Sequence, residues 1–383
     1  MKFVKMSLAA VMLMGTTSAF AFENVKFDGG AGIFYDTSAS TVAEQAESLG
    51  EAYANLGVTA DLAEGLKGGV RLYMVDTLGL ESNVVGGTWT GVMTAPNFSG
   101  EAWASELWLA KTIGNTTVKV GRQDLDTPLA FTETWNAAPN TFDAAVVLNS
   151  DIPDTTLVAA YVGKHNGGGA TVAAGASFTS FYNDAYAVGV INNSFKPLTA
   201  QAWYYNLDNV VAAAGVDAYW LQADFAMNGI VAGAQYADLS LDGGADSKAY
   251  AVKVGYDGIE NLSMFVAYSK TDDEAGALTV ANTATGAQSK LYTEAWWNFG
   301  VGVVDTEAYN FTAEYSMPDV ADFGIYAVTM DQGLAGDMDE VTVTAAKNLA
   351  GVDLTLAYIY ADRHTVGAGT DQERLQAYIS VAF

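Results

Sequence analysis

The last nine residues, Leu375-Gln-Ala-Tyr-Ile-Ser-Val-Ala-Phe383, decide the fold class. Successive side chains of an extended chain point to opposite sides, so Leu375, Ala377, Ile379, Val381 and Phe383 share one face and Gln376, Tyr378, Ser380 and Ala382 the other. The same two-residue period returns through the chain. Leu262, Met264, Val266 and Tyr268 oppose Ser263, Ala267 and Ser269, and Tyr309, Phe311, Ala313 and Tyr315 oppose Asn310, Thr312, Glu314 and Ser316. Val352, Leu354, Leu356, Tyr358 and Tyr360 oppose Asp353, Thr355 and Ala357. One face suits lipid and the other mostly water, as a membrane-spanning strand requires. Trp220 and Phe265, on the water faces, break the pattern.

A soluble β-sandwich also alternates, with its apolar face turned inward. Three features favour a barrel instead. The strands run to about ten residues, the length a tilted spanning strand needs. Aromatics gather near strand ends, as at Trp203-Tyr204-Tyr205 and Tyr358-Ile359-Tyr360, where an interfacial girdle would place them. Connections also alternate between tight turns, such as Met227-Asn228-Gly229 and Met317-Pro318-Asp319, and longer polar stretches at 37–49, 78–100, 125–142, 165–183, 272–304 and 363–371. The expected fold is all-β: a transmembrane antiparallel barrel of 18 strands, the first centred near residue 30 and the last near 377. Sixteen is the alternative count, and 272–304 has room for a further hairpin.

Composition agrees. Half the residues are hydrophobic, yet after Ala21 no apolar run is long enough for a spanning helix. Residues 1–21 read as a signal peptide: Lys2 and Lys5 precede an apolar stretch, and Ser18-Ala19-Phe20-Ala21 ends in a small-x-small cleavage pattern. Residues 22–383 are then the barrel. The absence of cysteine excludes disulfide scaffolds. Removing Lys2 and Lys5 from the 17 basic residues leaves 15 against 44 acidic ones, a surface that disfavours nucleic acid and anions.

The C-terminal pattern, with Phe383, Val381 and Ile379 as its core, resembles the assembly signal of Gram-negative outer-membrane proteins. The stretch Val118-Lys-Val-Gly-Arg-Gln-Asp-Leu-Asp-Thr-Pro-Leu-Ala130 resembles a strand-to-loop segment of the epsilonproteobacterial major outer-membrane porins, relatives of the OprD-type porins. The resemblance implies a homotrimer of 18-stranded barrels in the outer membrane, delivered by the barrel-assembly machinery. It further implies an inward-folded loop constricting the pore, cation preference, and calcium as an occasional ligand.

The predicted constriction is the connection 125–142, carrying Asp126 and Glu133, with Arg122 and Asp124 at its base. Strand parity adds Arg71, Lys119, Asp224 and Glu314 as residues facing the lumen. Carboxylates in a narrow pore with low-dielectric walls concentrate cations. Asp124, Asp126 and Glu133 are also the candidate calcium ligands, although their spacing matches no EF-hand loop, and the acidic run Asp272-Asp273-Glu274 is an equal candidate, for calcium or for divalents bridging lipopolysaccharide. The two histidines, His165 and His364, fall in predicted external loops. No nucleophile elbow, His-Glu-x-x-His or phosphate loop accompanies them, so neither catalysis nor an organic cofactor is expected. The function expected is passive diffusion of small hydrophilic solutes and cations. A substrate-selective channel and a non-conducting adhesin or structural barrel are the alternatives.

Overall fold

The computed structural model describes residues 22–40, 48–76, 100–135, 137–167, 177–211, 214–333, 336–365 and 368–383. The predicted signal peptide and almost all of the 78–100 connection lie outside these. The chain forms eighteen strands: β1 (Glu23–Ser40), β2 (Ser48–Ala63), β3 (Leu66–Asp76), β4 (Glu101–Ile113), β5 (Thr116–Gln123), β6 (Phe142–Asn149), β7 (Thr155–His165), β8 (Thr179–Asn192), β9 (Leu198–Val211), β10 (Ala214–Met227), β11 (Ile230–Leu241), β12 (Asp246–Ile259), β13 (Leu262–Thr271), β14 (Glu307–Met317), β15 (Ala321–Asp331), β16 (Asp337–Leu349), β17 (Val352–Thr365) and β18 (Ala368–Ala382).

Each strand pairs antiparallel with its sequence neighbours, and β1 pairs with β18 from Gly30–Ala382 to Ser40–Gln372. The sheet is therefore a closed barrel with no free edge. The amides of Gly29 and Phe383 exchange carbonyls at 3.0 Å in both directions, locking the last residue to the first strand. Ile379, Val381 and Phe383 all point outward from this seam and are exposed.

The outer face is apolar. Val70, Leu72 and Met74 on β3, Leu107 and Leu109 on β4, and Tyr250, Val252 and Val254 on β12 are all exposed on it. Near one end the outward tyrosines touch around the wall: Tyr161–Tyr186, Tyr204–Tyr219, Tyr250–Tyr268 and Tyr268–Tyr309 have ring centroids 5.1–6.0 Å apart. Such amphipathic rings belong at the boundary between hydrocarbon and water. At the other end the connections are tight. Asn228 and Gly229 adopt φ of 54° and 79°, the left-handed pair a two-residue hairpin with matching twist demands.

The 18-strand expectation holds. Three connections are shorter than the sequence suggested, because β1, β8, β17 and β18 extend into the 37–49, 165–183 and 363–371 stretches. His165 and His364 consequently lie on strands rather than loops. No strand forms between Thr271 and Glu307, so the further hairpin allowed for 272–304 is absent. Placing arginine at Val254, which is 55% exposed on the outer face, is predicted to cost about 2–4 kcal/mol. Urea unfolding from lipid vesicles measures this, and arginine at the lumen-facing Ser263 should cost far less.

Candidate functional site

Two connections fold against the inner face of the wall. The first spans 124–141. It turns back on itself through Thr132 N–H to Leu125 O (2.8 Å) and Thr127 N–H to Ala130 O (3.2 Å). The second spans 272–306 and is tied to the first. Thr283 donates its N–H (2.8 Å) and hydroxyl (2.6 Å) to Leu129 O, and Asn282 Nδ2 donates to Phe131 O (2.8 Å) and Glu133 Oε1 (2.9 Å). Glu340, inward on β16, accepts the N–H groups of Trp297 (3.0 Å) and Asn298 (2.8 Å). Carboxylates that receive several N–H bonds fix a loop more firmly than neutral acceptors would.

Apolar packing completes the joint. Leu125, Leu129 and Ala130 from the first loop, and Val280, Leu291 and Val301 from the second, share one buried cluster with inward wall residues including Trp203, Trp220 and Leu239. Trp220, an exception to the alternation, is fully buried beneath this cluster. The wall turns apolar on its inner face where loops, rather than water, cover it.

Much of the remaining inner face is polar, and two of its groups bear on the site. On β1 to β5, Arg71 sits between three acceptors: Glu106 Oε1 on Nε (2.7 Å), Asn55 Oδ1 on Nη1 (2.7 Å), and Asp28 on Nη2. Trp108 Nε1 holds the other oxygen of Glu106 (3.0 Å), and the Lys119 ammonium lies 4.4 Å above the Trp108 ring. Asp124 stands beside them, its carboxyl raised by burial and by the nearby Glu106 charge. On the facing strands, Asp224 accepts from Lys253 Nζ (3.0 Å), Tyr292 hydroxyl (2.7 Å) and Gln222 Nε2 (2.6 Å).

Between the second group and the two loops lies a cavity of about 400 Å³. Its floor is a row of amides. Gln222 is directly opposite Gln201 on one side and Gln235 on the other, so three glutamines cross β9, β10 and β11 in register. Asp126 and Pro128 close it from the first loop, and Lys290 and Tyr292 from the second. Lys290 pairs with Asp126.

The predicted residues therefore separate. Arg71, Lys119 and Asp124 meet in the first group; Asp126 and Asp224 border or adjoin the cavity. Glu133 lies in the joint between the loops, where Trp135 Nε1 (2.9 Å) and Asn282 reach it. Glu314 faces the lumen further along β14 and accepts the Tyr326 hydroxyl (2.7 Å). Arg122 differs: it pairs across the sheet with Leu107 and Asp143, the outward face, and forms an ion pair with Asp143 (2.8 Å). Asp124, Asp126 and Glu133 do not converge, each facing different neighbours. Among the described residues no three His, Cys, Asp or Glu side chains are grouped to hold a metal ion. The sequence reading missed Lys253, Lys290, Tyr292 and the glutamine row. Gln201 and Gln222 alternate correctly for an inward face, but nothing local marks them as neighbours.

The comparisons with known proteins concern the fold. No protein-family model and no curated protein matches the chain. Solved structures do. Acinetobacter baumannii OccAB1 aligns with a TM-score of 0.76 at 13% identity, covering 94% of this chain and 97% of its own. Pseudomonas aeruginosa OccK8 (OprE) aligns at 0.71 and 16%, covering 95% and 99%. Pseudomonas aeruginosa OpdK, solved with vanillate, aligns at 0.69 and 12%, covering 95% and 100%. The fold is that of the OprD/Occ outer-membrane channels.

Within the second loop, burial pushes the Glu294 carboxyl up to about 8, although the N–H groups of Ser289 (2.5 Å) and Ala295 (3.1 Å) bond to it. The folded protein then keeps a proton that the unfolded chain releases above about 4.5. Stability from this group is therefore full below that value and is lost as the pH rises toward 8. Glu294→Gln is predicted to flatten the corresponding part of the stability profile, measured by urea unfolding between pH 5 and pH 8. An unchanged slope would contradict the assignment.

Proposed function

We propose that the protein is a passive, cation-favouring channel in the outer membrane of a Gram-negative bacterium, admitting small hydrophilic solutes and ions. The observation that carries this reading is the polar lumen inside a closed, outwardly apolar barrel: a route for water bounded by Arg71, Glu106 and Lys119 on one side and Asp224 and Lys253 on the other. A barrel of this strand number is wide enough for water unless its loops fill it. The two infolded loops narrow it instead to the space bordered by these charged groups, which makes 124–141 the constriction loop of this reading.

The cation preference rests on charge balance. The inward basic groups with close partners are matched or outnumbered: Arg71 by Asp28 and Glu106, Lys253 by Asp224, Lys290 by Asp126, and Arg374 by Asp36. Lys119 is set against Asp124, and Glu314 remains as a further lumen carboxylate. A pore with surplus carboxylates and low-dielectric walls attracts cations. The closer kinship with epsilonproteobacterial porins and the homotrimer rest on the sequence resemblance alone, as does use of the assembly machinery. Lipopolysaccharide is the proposed outer neighbour of the tyrosine girdle.

Purified protein in a planar bilayer across a KCl gradient tests the proposal. Steady conductance is expected, with a reversal potential of the sign for cation flow. Asp124→Asn combined with Asp126→Asn should reduce that potential. A folded, heat-modifiable barrel that conducts nothing would overturn the channel reading.

A further inference from the structure

The cavity under the two loops has a size and a lining of its own. At about 400 Å³ it falls within the roughly 300–1,000 Å³ of small-molecule sites. Its amides are also held in fixed orientations. Trp203 Nε1 donates to Gln201 Oε1 (2.8 Å), and Trp220 Nε1 donates to Gln222 Oε1 (3.1 Å). Gln235 donates to Lys290 O (2.8 Å) and Gln222 Oε1 (3.2 Å) while accepting Tyr292 N–H (3.0 Å). The carbonyl of Gln201 is engaged by the indole, which leaves its amide nitrogen as the donor this lining residue has to offer.

The charged groups around the cavity cancel in pairs. Asp126 is joined to Lys290, and Asp224 to Lys253, whose ammonium also rests 4.1 Å from the Tyr292 ring centroid. A charged solute would gain at one member of a pair only by separating it from the other. A neutral solute keeps both pairs intact. The remaining polar surface offers donors, from Gln201 and Lys290, beside the acceptor oxygens of the exposed Asp126 carboxylate, and each hydroxyl group of a solute serves as both donor and acceptor. Pro128, Ile191 and the Tyr292 ring supply an apolar boundary for carbon–hydrogen faces.

The geometry points to a binding site for a neutral, hydroxyl-rich solute of sugar size at this position, a proposal that rests on the channel reading for the site's accessibility. The site makes passage of such solutes saturable rather than purely diffusive. Its floor depends on backbone shape as well. Neighbouring β-strand position Gly233 lies under Tyr292, where an added Cβ would stand 2.4 Å from the hydroxyl, so only glycine leaves the ring room to reach Asp224.

The test combines two readouts on wild type, Gln201→Leu and Gln235→Leu, each first checked for heat-modifiable folding. Glucose and maltose are added to a single conducting channel, with a polyethylene glycol of similar size as the non-binding control. Maltose binding to the detergent-solubilised barrel is measured separately by calorimetry. The proposal expects saturable current block and measurable binding in wild type. In Gln201→Leu the half-saturating concentration should rise roughly three- to tenfold, as the loss of one hydrogen bond predicts, and Gln235→Leu, which unties Lys290 O and Tyr292 N–H from the floor, should raise it as well. Conductance without calorimetric binding, or sugars acting only as the polymer does, would overturn the site and leave the channel reading standing. Binding without any conductance would leave the site and remove the channel. Stronger block by benzoate or lysine than by sugars would overturn the choice of a neutral ligand.

Discussion

The bilayer offers no partner to a backbone N–H or carbonyl, and everything else in this structure depends on that. A sheet can satisfy it only by closing. The β1–β18 pairing is therefore the decisive contact, because without it both strands would present unpaired edges to hydrocarbon. Closure then dictates two surfaces from one chain. Outward positions must be apolar, as Leu72, Leu109 and Val254 are, and inward positions are freed to be polar. The mixed composition, half hydrophobic yet without a solid apolar run, follows directly.

Closure also leaves a lumen that the wall cannot fill. The two infolded loops solve this with a small soluble-style core, in which Leu129, Val280 and Leu291 pack on Trp203 and Trp220. Apolar packing alone would not fix the loops' position to within a hydrogen bond. Buried carboxyl groups do that: Glu133 and Glu340 each receive several donors, and Glu294 ties Ser289 and Ala295 within the second loop. The charged side chains that border the lumen are largely paired, Arg71 with Glu106, Lys253 with Asp224 and Lys290 with Asp126.

The wall was legible because a period of two needs only local reading. Strands as different as β13 and β18 obey it, and the alternation through Val118 and Val120 even places Arg122 outward, although its neighbourhood to the loop suggested the pore. The lumen was much less legible. The 272–306 loop has no periodicity and reads as an external connection, and its residues acquire meaning only against strands far away in sequence. Asn282, for example, meets Phe131 and Glu133 about 150 positions earlier. The available signal was indirect: Trp220, a large aromatic on a face meant for water, broke the alternation where the loops cover the wall. The glutamine row was invisible for the same reason, since register between β9, β10 and β11 brings together residues that no local pattern links.

The central claim is that water reaches the glutamine row through a lumen narrowed, but not sealed, by the two loops. The chain has no native cysteine, so a single one at Gln222 is a clean reporter. A membrane-impermeant thiol reagent added during single-channel recording should reduce the current of Gln222→Cys in a lasting step and leave the parent protein unchanged. A Gln222→Cys channel that conducts yet ignores the reagent from both sides would show that the current takes another path, and the account of the lumen would be wrong.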